Sequence, residues 1–128
     1  MELVRRVYKA WASEEQHAAL EFLAEDFEYV NPPYAVHPGT RRGRAGWLAV
    51  QANLDDSFES WVHEPGEVID AGDKVVVMAT FRARGRGSSM DLEKFEPHVW
   101  TLRGGRIVRF EWFNDRGEAM RAAGIAEG

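Results

Sequence analysis

The chain has 128 residues, 45% hydrophobic and 12% aromatic, which suits one domain built on a single core. Cys is absent, which excludes disulfides, a thiol nucleophile and Cys-ligated zinc or iron–sulfur centres. With 16 Lys and Arg against 21 Asp and Glu the net charge is −5, so nucleic acid is not expected as a partner, because phosphate binding needs a positive field.

Residues 1–12 alternate charged with apolar side chains and lack the unbroken apolar run of a secretory signal or membrane span, so no membrane contact and a cytoplasmic location are expected. Leu3, Val4, Val7, Tyr8 and Trp11 recur at three- and four-residue steps and predict a first amphipathic helix. Ser13, with Gln16 three positions on, fits a capping box for a second helix that buries Ala19, Leu20, Phe22, Leu23 and Phe27 and runs to about Asp26. Residues 28–31 read as a short strand stopped by Pro32 and Pro33, and Pro38 and Gly39 prolong the irregular stretch to Gly43. A third helix from about Arg44 carries Trp47, Val50, Leu54 and Phe58 on one side.

Four strands are expected next, over residues 62–70, 74–84, 92–103 and 106–113. Short glycine-containing links at Ala71-Gly72-Asp73 and Gly104-Gly105 suit antiparallel hairpins. Pro97 within the third of these strands needs an edge, a bulge or a gap without a ladder donor. Ala119, Met120 and Ala123 form a short terminal helix, with Gly124 at its C-cap. Helices followed by hairpins predict an α+β domain over residues 1–128, its helices packed on one face of a curved antiparallel sheet.

This order of elements resembles the nuclear transport factor 2-like (cystatin-like) superfamily, and within it the SnoaL-like and ketosteroid-isomerase-like domains. The matching stretches are Val7-Tyr8-Lys9-Ala10-Trp11, Tyr29-Val30-Asn31-Pro32, Arg42-Gly43-Arg44, Asp70-Ala71-Gly72-Asp73-Lys74-Val75-Val76-Val77, His98-Val99-Trp100-Thr101-Leu102, Gly105-Arg106-Ile107-Val108-Arg109-Phe110 and Asn114-Asp115. The resemblance implies a cone whose strongly curved sheet wraps the N-terminal helices and leaves a pocket at one end. Members of the superfamily isomerise, cyclise, dehydrate, hydrolyse or only bind, so the fold does not name the chemistry.

Strand alternation sorts the residues that could face such a pocket. Glu96, His98 and Trp100 share one face, as do Phe110, Trp112 and Asn114, and the third set is Val76, Met78, Thr80 and Arg82. The resemblance selects these as concave and sets His98 where ketosteroid isomerases hold a protonated Asp. Asn31 stands before Pro32, where those isomerases carry the Asp that acts as base, and an amide cannot take the proton, so ordinary steroid isomerisation is not expected. Three assignments stay open for the titrating group: His98 alone, Glu96 alone, or both. Glu96 also fits a salt bridge with Arg82. Asn31, Tyr8, Tyr34 and Asn114 would orient a ligand oxygen, while Trp11, Trp47, Met78, Trp100, Phe110 and Trp112 would form the apolar wall.

His17, His37 and His63 show no metal-ligand spacing with one another or with carboxylates, and no nucleotide-binding glycine pattern occurs, so neither a metal nor a cofactor is expected. Gly85, Gly87 and the serines after them read as a hairpin tip. The expected function is a pocket for a compact apolar or aromatic oxygenated small molecule, with cofactor-free isomerisation, cyclisation or dehydration as the enzymatic form. A non-catalytic alternative is a homodimer formed through the convex sheet face by Phe81, Phe95, Val99, Val108 and Phe113.

Overall fold

The computed structural model describes residues 2–13, 16–87 and 91–125, and only the backbone at Gln16 and His17. The Gln16 half of the expected capping box and the tip serines Ser88 and Ser89 lie outside what is described. Helix α1 spans Glu2–Trp11 and buries Val4, Val7, Tyr8 and Trp11, the stripe that its periodicity predicts. A 3-10 helix over Gln16–Phe22 follows, and strand β1 runs through Leu23–Asn31. The second helix is therefore shorter than expected and the first strand longer. Ala19, Leu23 and Phe27 are spaced by four, which satisfies a helix, yet Leu23, Phe27 and Tyr29 also share one strand face, and all four residues are buried.

Strand β2, Gly39–Arg42, pairs antiparallel with β1 where an irregular stretch was expected. Helix α2, Gly43–Ser57, passes straight into β3, Phe58–Glu64. Pro65 and Gly66 separate β3 from β4, Val68–Ala71, so the strand expected over 62–70 is two. The long strands β5, Lys74–Gly85, and β6, Asp91–Arg103, pair from Lys74 with Thr101 to Arg84 with Asp91, and β7, Arg106–Trp112, completes the sheet. At the β6–β7 turn Gly104 and Gly105 both have positive φ, 60° and 75°, the backbone that a two-residue hairpin turn demands.

The described strands follow the order β2-β1-β7-β6-β5-β3, with β4 also on β5. Neighbours are antiparallel except β1 and β7, which run parallel, so the sheet is mixed. Its inner face closes on α1 and α2 around Trp47, Trp100, Phe27 and Phe110, all with no exposed surface. Helix α3, Arg116–Ala122, starts at Asp115, whose carboxylate accepts from Glu118 N at 2.8 Å, and covers part of the outer face. There Ala119, Met120 and Ala123 pack on Val76, Met78 and Val99.

That second cluster corrects two expectations. In β5 the inward residues are Val75, Val77, Ala79 and Phe81, so Met78 and Arg82 face outward. Of the proposed convex patch, Phe81 points inward, Val99 is buried beneath α3 and Phe113 packs at its edge, while Phe95 stays exposed.

Gly66 sits where a Cβ would lie 2.5 Å from the carbonyl oxygen of Met78. Gly66→Ala should therefore push β5 outward and cost about 1–3 kcal/mol, read as a midpoint lowered by several degrees in thermal unfolding.

Candidate functional site

Alternation in β6 turns Glu96, His98 and Trp100 inward, and Pro97 does not disturb it. Pro97 lies opposite Met78, and its carbonyl accepts from Phe113 N at 3.0 Å. Its missing N–H thus falls just past the last β6–β7 pair, His98 with Trp112, where no ladder donor is needed. The irregularity in this pairing comes later, between Thr101 and Leu102.

The three inward residues join a buried polar chain with Tyr8. Trp100 Nε1 donates to the Tyr8 hydroxyl at 2.9 Å, and that hydroxyl lies 2.5 Å from His98 Nδ1. His98 Nε2 lies 2.8 Å from Glu96 Oε1. One set of protons satisfies every link: Tyr8 donates to Nδ1, and the Nε2–H donates to the Glu96 carboxylate. Burial lowers the His98 pKa to about 4, against the opposing pull of Glu96, so the imidazole is neutral at pH 7. Burial by itself would raise the Glu96 carboxyl, but the His63 and His98 rings outweigh it and hold the group well below the usual carboxylate range. Tyr8 is pushed up by burial and keeps its proton. The arrangement is an ionised carboxylate clamped at one oxygen by a neutral imidazole, which is itself fixed by a phenol.

His63 is the residue that chain spacing did not reveal. It comes from β3, opposite Phe81, and its Nδ1 lies 3.4 Å from Glu96 Oε1. Trp11 stacks on it with ring centres 3.9 Å apart, and Trp11 Nε1 donates to Gln51 Oε1 of α2 at 2.7 Å.

Glu96 also borders a cleft of about 410 Å³ between α2, the β1–β2 connection and the sheet. Its apolar wall is Val50, Leu54, Phe58, Phe81 and Trp112, and its polar groups include Asn31, His37, Arg41 and Lys94. The Lys94 ammonium lies 4.3 Å above the Trp112 ring and 4.0 Å from Glu96 Oε2. Asn31 Oδ1 accepts from Trp112 Nε1 at 2.7 Å, which orients the amide at the cleft.

Of the residues expected to form the site, Asn31, Glu96 and Trp112 meet at the cleft. His98 and Tyr8 stand behind Glu96, and Trp11, Trp47, Trp100 and Phe110 belong to the core that supports them. Tyr34 lies edge-on to Trp112, donates to Glu118 at 2.9 Å and accepts from Asn114 N at 2.9 Å, so this pair ties α3 to the connection after β1. Met78 and Arg82 are on the outer face, and Arg82 pairs with Glu64 and Glu93 instead of Glu96.

Both shifted groups couple folding to pH in one direction. The His98 pKa falls from 6.5 to about 4 on folding, so its contribution is complete above about pH 6.5 and is lost as pH falls toward 4. The depressed Glu96 group contributes above its ordinary 4.5 and is lost below that. Urea unfolding of chelator-treated protein should show stability falling by roughly 3 kcal/mol between pH 7 and pH 4, most of it absent in His98→Gln.

Residues 4–110 match the family model of the SnoaL-like domain, and the chain belongs to that family. Among solved structures it is similar to a nuclear transport factor 2-like protein of unknown function from Burkholderia pseudomallei, at 28% identity over 94% of each chain with a TM-score of 0.79. It is also similar to a protein of ketosteroid isomerase-like fold from Catenulispora acidiphila, solved with trimethylamine, at 21% identity over 98% of this chain and 94% of that one, with a TM-score of 0.77. A third similar structure is a putative SnoaL-like polyketide cyclase from a Jannaschia species, at 19% identity over 98% and 92%, with a TM-score of 0.76. No curated protein matches the sequence. Among the described residues no helix is long and apolar enough to cross a membrane.

Proposed function

We propose that the cleft binds a compact apolar or aromatic compound bearing one or two oxygens, and that Glu96 exchanges a proton with it. The observation that carries this reading is the position of Glu96: a buried, ionised carboxylate at the wall of an apolar cleft, with Oε1 held by His98 and Oε2 on the Lys94 side. His98 has no exposed surface and is separated from the cleft by Glu96, so it acts as a positioning residue.

In this reading Oε2 takes a proton from a carbon or hydroxyl next to the substrate carbonyl. The negative charge that develops on the substrate oxygen faces the Lys94 ammonium and the Asn31 amide. Return of the proton to another carbon gives isomerisation; attack of the enolate carbon on a second carbonyl of the same molecule closes a ring, with the proton returned to the alkoxide oxygen formed there; and its delivery to a leaving β-hydroxyl gives dehydration with release of water. A carboxylate held below its usual range is a weak base, so the matching substrate has an acidic proton, as in a 1,3-dicarbonyl or a phenolic ketone. No cofactor takes part in these steps.

A thermal-shift panel of aryl ketones, quinones and 1,3-dicarbonyls tests the binding half. A ligand at 100 times its Kd should add about 2.7 kcal/mol of stability. Leu54→Arg, a partly exposed change that fills the cleft, should remove that gain while leaving the unliganded midpoint within about 0.5 kcal/mol of wild type. An equal ligand shift in Leu54→Arg would move the binding site elsewhere.

A further inference from the structure

His63 is the buried group that the proton-transfer reading leaves without a task. It is 5% exposed, and among the described residues neither ring nitrogen meets hydrogen-bond geometry with a partner. Buried polar atoms in folded proteins are nearly always paired, and an imidazole whose Nδ1 has only a loose approach to a carboxylate calls for an explanation. Its Nδ1 faces Glu96 Oε1 at 3.4 Å, and the same oxygen lies 2.8 Å from His98 Nε2. One donor atom from each of His63, Glu96 and His98 falls within 4.8 Å of the others, and all three residues are buried.

We propose that His63, Glu96 and His98 bind one divalent transition-metal ion of the zinc type, with an open coordination position toward the cleft. Two imidazoles and one carboxylate are a donor set that suits zinc and its first-row neighbours and disfavours calcium and magnesium, which require oxygen ligands. At metal–ligand distances of about 2.0–2.2 Å, ligand atoms in a tetrahedral site stand about 3.3 Å apart. The His63–Glu96 separation already has this value. The His98–Glu96 separation is 2.8 Å, and all three donor atoms lie within 4.8 Å of one another, close to the spacing of a ligand set.

The surroundings fit a ligand set. When Nε2 of His98 takes the ion, the ring proton sits on Nδ1 and is donated to the Tyr8 oxygen, the outer-shell bond that orients a ligating imidazole. Trp11, stacked at 3.9 Å, fixes the plane of the His63 ring. Two neutral rings and one carboxylate leave the ion with a net charge of +1. A water, a hydroxide or an anionic oxygen entering from the cleft, which Glu96 borders, fills the remaining position.

This inference stands apart from the proton-transfer reading, since the two make opposite demands on Glu96, as a free base or as a ligand. Each can therefore fail alone. Chelator-treated protein is titrated with Zn²⁺ by calorimetry and with Co²⁺ by visible absorption, with no organic ligand present. The expected results are one ion per chain and the ligand-field bands of a four- or five-coordinate Co²⁺, which the aqueous ion lacks. Tyr8→Phe should weaken Zn²⁺ binding by roughly 10-fold, as loss of an outer-shell partner does, and His63→Gln by roughly 100-fold or more. Should His63→Gln not fold, Glu96→Gln carries the same comparison, and the wild-type Co²⁺ spectrum stands without either. An aqueous-type spectrum, the absence of a one-to-one isotherm, or equal affinity in a folded His63→Gln would overturn the site. Such a failure would leave the Glu96 proton-transfer reading untouched, and absence of proton exchange in the metal-free, chelator-treated protein, with the ion binding as expected, would sink that reading alone.

Discussion

His98→Leu should lower folding stability by about 3–5 kcal/mol at pH 7, the combined cost of depriving a buried carboxylate and a buried hydroxyl of a hydrogen-bond partner. Leucine fills most of the volume, so little of this loss is a cavity. The loss comes from two groups that each lose a buried partner: the Glu96 carboxylate forfeits the donor at 2.8 Å, and the Tyr8 hydroxyl forfeits the acceptor of its proton. Each such loss costs about 1–3 kcal/mol, and more when the group is charged. His98→Gln keeps one amide donor in reach of Glu96 and should lose less. Urea unfolding followed by tryptophan fluorescence measures both, since Trp100 and Trp11 flank the ring. A loss below about 1 kcal/mol in His98→Leu would mean that the Tyr8–His98–Glu96 chain does not hold the native state together.

Glu96→Gln should leave the fold intact and reduce proton transfer by roughly 10²- to 10⁴-fold, the usual contribution of a positioned general base. The amide oxygen of glutamine still accepts from His98 Nε2–H, and the shape of the cleft does not change. What goes is the basic oxygen beside Lys94, because an amide does not accept a proton at neutral pH. The loss should appear in kcat with KM little altered, as expected for a group whose contribution is made in the transition state. Loss of binding with kcat preserved would instead assign Glu96 to ligand recognition.

The parts of this site that were legible in the sequence are those on strands with one clear inner face. In β6 alternation put Glu96, His98 and Trp100 on one face and the resemblance marked that face as concave; the opposite positions Asp91, Glu93 and Phe95 are exposed, while Pro97 and Val99 are buried. In β5 the run Val75-Val76-Val77-Met78 is apolar at every position because both faces are covered, the inner by the main core and the outer by α3. Such a run carries no parity, which is why Met78 and Arg82 were assigned to the wrong side and Phe81 to the convex surface. His63 stayed hidden for another reason. Its approach to Glu96 spans β3, β5 and β6, and that strand order is a property of the whole topology, not of any local spacing. The bond by which Asn31 holds Trp112 follows from the β1–β7 pairing, which only the fold supplies.

Proton exchange between a ligand in the cleft and Glu96, braced by His98 and Tyr8, is read by deuterium incorporation from D₂O into an aryl 1,3-dicarbonyl, followed by proton NMR with wild type, Glu96→Gln and Tyr8→Phe under chelator. Exchange above the buffer rate is expected in wild type, with a partial fall in Tyr8→Phe and the buffer rate in Glu96→Gln. Exchange in Glu96→Gln equal to that of wild type would contradict that role for Glu96.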